Sequence, residues 1–150
     1  MEAMRMERTL TESVEDYLQD IFLLSLDRKI VRLRDIAIKR GVKMPSVVNA
    51  IKILSENRLV EHERYGYVLL TDAGVELARQ IYERHETIYK FLHDVLKVKE
   101  EIAEEDAHKM EHDLHNETLE SLAKFTVTIQ KSKLPQKHRG TENMSASKKQ

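Results

Sequence analysis

At 150 residues, 41% hydrophobic and 34% charged, the chain suits one domain or two small ones, with enough apolar matter for a core. Zero cysteines exclude disulfides, iron–sulfur clusters, CxxC zinc sites and thiol nucleophiles, and four glycines with two prolines favour helix and leave no glycine-rich phosphate loop. The net charge of -1 hides a division: ten basic against four acidic residues between Arg28 and Arg64 (+6), then two lysines against nine acids between Lys99 and Glu120 (−7), one block suited to a polyanion and the other to a cation.

Residues 1–8, part of MEAMRMERTLTESVED, carry no apolar stretch of a signal peptide and read as a flexible start. Thr9 and Glu12 fit a capping box, and Val14, Leu18, Ile21, Phe22 and Leu24 recur at helical spacing to about Leu26. Runs such as Ile21–Leu24 fall far short of the roughly 20 residues of a membrane span. Asp27-Arg28-Lys29 breaks the pattern. A short helix with Leu33, Ile36 and Ala37 ends near Gly41, and Pro45 opens the next. That helix is expected to turn Val48, Ile51 and Leu54 inward and to leave Ser46, Asn49 and Lys52 free. Leu59–Glu63 and Tyr67–Leu70, joined by Arg64-Tyr65-Gly66, predict a two-stranded hairpin. Thr71 or Asp72 caps a long helix to about Leu96, and helices over roughly Glu100–Asp113 and Glu117–Ile129 follow. Residues 131–150 read as a disordered basic tail.

Helix, short helix, turn, helix and hairpin are the order of a winged helix-turn-helix. The predicted class is mainly α with a small β-wing: a DNA-binding module over 9–72 and an all-helical metal-binding and dimerization domain over 73–130. Lys43, Pro45, Ser46, Asn49 and Lys52 offer groups for base edges and phosphates, and Arg64 and Tyr65 stand at the hairpin tip. In His108-Lys109-Met110-Glu111-His112, the i, i+3, i+4 spacing lets His108, Glu111 and His112 converge on a divalent transition ion. The same string fits the H-x-x-E-H pattern of a zinc hydrolase, but one further helix and a polar tail are too little for a peptidase cleft. A regulator that binds DNA without metal is the other alternative.

SVEDYLQDIFLL, RLRDIAIKRGVKMPSVVNAIKILSENRLVEH, YGYVLLTDAGVELA, RHETIYKFL and DAHKMEHDL, in this order from about Leu10 to Phe125, resemble the diphtheria-toxin-repressor family of metal-dependent transcription regulators. Without an SH3-like C-terminal stretch, the likeness is to the short manganese-transport-regulator branch. The resemblance implies a homodimeric cytoplasmic repressor of metal-uptake genes that binds double-stranded operator DNA and no membrane. It implies metal ligands at Asp16, His85, Glu111 and His112. Gln19 stands where manganese regulators carry a ligand glutamate, and His108 where they carry glutamate and iron-type repressors cysteine. Glu104 and Tyr89 fall near the ancillary positions of the family's other branch. Only Asp16 and Glu111 are anionic in this set, so one ion per subunit is expected, and three imidazoles move preference from manganese toward iron, cobalt or zinc. His62, His93, His115 and His138 are expected at the surface. Phe91, Leu92, Val95, Ile102, Leu114, Leu119, Leu122 and Phe125 offer more apolar surface than one small domain covers, as a dimer requires.

Overall fold

A computed structural model describes residues 10–63 and 66–133. They form two compact units that divide at Glu83 and Arg84, inside a helix. None of the described helices is long and apolar enough to cross a membrane.

The first unit opens with α1 (Glu12–Asp27). Thr11 is its cap, accepting the Val14 N–H at 3.3 Å, whereas the sequence pointed to Thr9, which lies outside the described residues. β1 (Val31–Arg32) follows directly. In α2 (Leu33–Arg40), the Asp35 carboxylate accepts the Arg32 N–H at 2.9 Å, and Gly41 at φ 66 ends the helix in the left-handed region. α3 (Met44–Glu56) carries Pro45 in its first turn, where a missing N–H costs nothing. β2 (Val60–His62) and β3 (Tyr67–Leu70) complete an antiparallel sheet in the order β1-β3-β2. Val31 pairs with Val68, and so does His62 on the other side. The expected hairpin is therefore a three-stranded sheet. Two residues of β1 are too few to show alternation in sequence.

Val14, Tyr17, Leu18 and Ile21 of α1 bury against Ile36, Val47, Ile51, Leu54, Val60 and Val68. On α3 the sequence reading needs correction. Val47 is fully buried and its neighbour Val48 is 49% exposed, so Val48 shares the outer face of the helix. Two consecutive valines cannot both face the core at 100° per residue, and the phase set by Ala50, Ile51 and Leu54 selects Val47.

α4 (Asp72–Lys90) spans both units. Thr71 accepts the Gly74 N–H at 3.0 Å and so provides the cap. Leu77, Ala78 and Ile81 of its first half finish the core of the first unit. Its second half continues as a π-helical turn (Phe91–Val95), followed by α5 (Glu100–Met110) and α6 (Asn116–Lys133). α6 thus takes in the first three residues of the predicted tail, and residues 134–150 lie outside the described part. Ile88, Leu92, Ala103, Ala107 and Leu119 are the core of the second unit. Alanines at i and i+4 of α5 permit close approach to its neighbours. α5 stops at Met110, three residues short of the sequence expectation, and Glu111 is its cap.

Candidate metal centre and nucleic-acid interface

The second unit gathers five chemically active side chains. α4 supplies His85, which is buried. α5 supplies Glu104 and His108, one turn apart. Although α5 ends at Met110, Glu111 keeps helical angles (φ -58, ψ -29), so the i to i+3 geometry survives across the helix end. Glu111 is 2% exposed. Its Oε2 lies 2.9 Å from His85 Nδ1, and its Oε1 lies 3.6 Å from His108 Nδ1 and 3.4 Å from His112 Nε2. The rings of His108 and His112 meet edge to face at 5.8 Å.

Arg84 secures this arrangement through the main chain. Its Nε donates to the Glu111 carbonyl at 3.0 Å, and its Nη2 donates to the same oxygen and to the Leu114 carbonyl at 3.0 Å. Consecutive residues of α4 therefore hold one residue of the α5–α6 turn, Arg84 by its backbone and His85 by its carboxylate.

His85 also faces Glu104, whose Oε2 is 2.8 Å from Nε2. Carboxylates only accept, so a ring between two of them needs both nitrogens protonated. The Glu111 carboxylate foremost, and Glu104 after it, raise the His85 pKa above its ordinary 6.5, against the opposing effect of burial. The donor set fits an ion: nitrogens of His85 and His108 and an oxygen of Glu111 lie within 4.8 Å of one another. In addition, the buried Glu111 Oε1 has no hydrogen bond among the described residues. Such an atom is costly unless a cation completes it.

Of the ligands expected from sequence, His85, His108, Glu111 and His112 come together in this unit. Asp16 and Gln19 belong to the first unit, buried on α1. Glu104, which the resemblance placed only near an ancillary position, is in direct contact with His85. Its place one turn before His108 was the available signal. Tyr89 instead stacks on His93 at 5.4 Å. His93 is half-buried, with Nδ1 3.0 Å from the Val98 carbonyl, which corrects the surface expectation for it. His62 and His115 are exposed, and His138 lies outside the described residues.

In the first unit, Lys43, Pro45, Ser46, Asn49 and Lys52 are all exposed on α3 and at its cap, together with Met44 and Val48. Sequence reasoning missed these last two as surface groups. Arg64 and Tyr65 lie outside the described residues. Two members of the basic block are held internally, since Arg28 pairs with Asp35 at 2.8 Å and Arg40 with Asp20 at 2.9 Å. Arg32 lies over the Tyr67 ring at 5.2 Å.

Residues 9–68 match the N-terminal DNA-binding domain of the iron-dependent repressors, and residues 71–139 match their metal-binding and dimerisation domain. The chain belongs to the iron-dependent repressor family. Among its relatives is an uncharacterized HTH-type transcriptional regulator of Methanocaldococcus jannaschii, 35% identical over 77% of this chain and 94% of the relative. The transcriptional regulator MntR of Escherichia coli O6:H1 is 37% identical over 77% of this chain and 74% of that protein. The solved manganese regulator SloR is similar at a TM-score of 0.67 and 34% identity, over 77% of this chain and 54% of SloR. This repressor-family chain thus spans about half the length of that solved relative. Membership makes it a DNA-binding transcriptional regulator rather than an enzyme, and the hydrolase reading of H-x-x-E-H is set aside.

Proposed function

We propose that the protein is a homodimeric repressor of metal-uptake genes that binds its operator when a divalent transition ion is plentiful. The observation that carries this reading is the convergence of three imidazoles on the buried Glu111 carboxylate, in a chain whose other unit is a winged helix. His85, His108, Glu111 and His112 hold one ion per subunit, with Asp16 as a further ligand implied by the resemblance and Gln19 as a weaker one. Glu104 shares His85 through the second ring nitrogen. The bound ion supplies positive charge to this acidic pocket. SloR is described as a manganese regulator, but the imidazole-rich set here favours iron, cobalt or zinc over manganese.

Asp16 lies on the first helix of the reading unit, so a ligand there ties occupancy to the placing of α3. Asn49 and Ser46 read base edges, Lys43 and Lys52 contact phosphate, and the exposed Val48 suits a thymine methyl. Arg64 and Tyr65 are proposed to contact the backbone beside the groove. A coupling of about 1–3 kcal/mol between metal and operator gives a 5- to 150-fold gain in affinity. The test is an operator gel shift with Mn, Fe, Co and Zn and with chelator, in wild type and His108→Ala. Binding is expected to vanish with chelator. His108→Ala is expected to weaken metal binding and metal-dependent DNA affinity about tenfold or more, with the fold intact by circular dichroism. Chelator-resistant DNA binding in the wild type would instead establish metal-independent regulation.

A further inference from the structure

We infer that Arg40 sets the metal affinity of this regulator by acting as a resident cation against Asp16, an inference that rests on Asp16 being a ligand. Arg40 is the last residue of α2, next to the Gly41 turn that leads into α3. Its Nη1 is 2.9 Å from Asp20 Oδ2, its Nη2 is 3.7 Å from Asp16 Oδ2, and its guanidinium lies 5.0 Å over the Tyr17 ring. Asp16 and Asp20 are one turn apart on α1, so both carboxylates face one guanidinium. The side chains are 25% exposed for Arg40, 12% for Asp16 and 16% for Asp20, which limits screening by solvent. One cation is thus shared between two acids in a partly dry setting.

Arg40 differs from His85 in what it can do when a divalent ion arrives. The imidazole can surrender its proton and become a ligand. The guanidinium cannot deprotonate, so its charge opposes a second cation at Asp16 at every working pH. Its shorter contact to Asp20 anchors it and keeps it from swinging away. Arg40 therefore raises the ion concentration at which the site fills. Because it terminates α2, a change at Asp16 is also felt at the turn before the recognition helix.

The test is calorimetric titration of the full chain with Co²⁺, without DNA, for wild type, Arg40→Gln, Arg40→Lys, Asp16→Asn and the double variant Asp16→Asn with Arg40→Gln. Arg40→Gln is expected to tighten binding about fivefold, the change one partly exposed ion pair can carry. Arg40→Lys, which keeps the charge, stays within about twofold of wild type. Asp16→Asn weakens binding and abolishes the effect of Arg40→Gln. Since Arg40→Gln leaves Asp20 without its partner, Arg40→Gln with Asp20→Asn is titrated too, and the same tightening is expected. If Asp16→Asn weakens binding while both Arg40→Gln variants leave it unchanged or weaker, the role of Arg40 is overturned alone. If Asp16→Asn leaves affinity unaltered, the ligand reading of Asp16 falls, and that of Arg40 with it.

Discussion

His85 is the residue where metal and proton compete most directly. Its raised pKa comes from Glu111 and Glu104, so its charged form is favoured by folding. Stability from this source is fully present below the ordinary value of 6.5 and is lost as pH rises through the higher folded value. Thermal unfolding of the metal-free protein is therefore expected to fall by a few degrees between about pH 6 and 9, and His85→Gln should flatten that dependence. In the presence of ion the trend reverses, because deprotonation frees a ligand and affinity climbs with pH. Scanning calorimetry across this range, with and without metal, checks both slopes. The sequence identified His85 through its family motif, but not its contact with Glu104. Helical spacing sets Glu104 one turn before His108, but only the fold lays it against the second ring nitrogen of His85, 19 positions away.

Among the elements, the start of α4 and the end of α5 carry the tightest constraints. At Gly74 an added Cβ would sit on the Leu59 carbonyl oxygen, a backbone atom that cannot turn aside, and Thr71 caps this same turn. Gly74→Ala is expected to destabilise the first unit by about 1–3 kcal/mol, measured by chemical denaturation, although alanine is the better helix former. The early end of α5 has a physical reason. Glu111 is fixed on both sides, by Arg84 at its carbonyl and by His85 at its carboxylate, and the chain must turn there to begin α6. Helical periodicity alone extended α5 to Asp113, because His108, Glu111 and His112 fit helical spacing whether or not the helix continues. On α3, pattern reading chose the wrong valine for the same kind of reason: adjacent apolar residues are resolved only by what packs against them.

For the whole molecule, the proposed dimer makes a geometric prediction. Exposed Ile102, Phe125 and Val127 give the second unit apolar surface for a partner copy. Paired readers need half-sites about one helical turn, roughly 34 Å, apart. On an operator recovered by selection from random DNA, inserting five base pairs between half-sites should turn one half-site to the opposite face and abolish high-affinity binding. Ten inserted pairs return the half-sites to one face but about two helical turns apart, so high-affinity binding is expected to stay lost there too. A gel shift indifferent to the five-pair insertion would argue against paired reading heads.

Sequence alone determined the helical class, the winged reading module, the segregation of charge and the helical spacing that lets His108, Glu111 and His112 converge, because periodicity, turn residues and side-chain spacing are local properties; His85 entered only through the family resemblance. Tertiary structure decided which valine of α3 faces outward, that β1 joins the wing, that Glu104 meets His85, and that Arg40 lies between Asp16 and Asp20. Each of these depends on packing between segments far apart in the chain, and a linear pattern carries no record of which distant surfaces will meet.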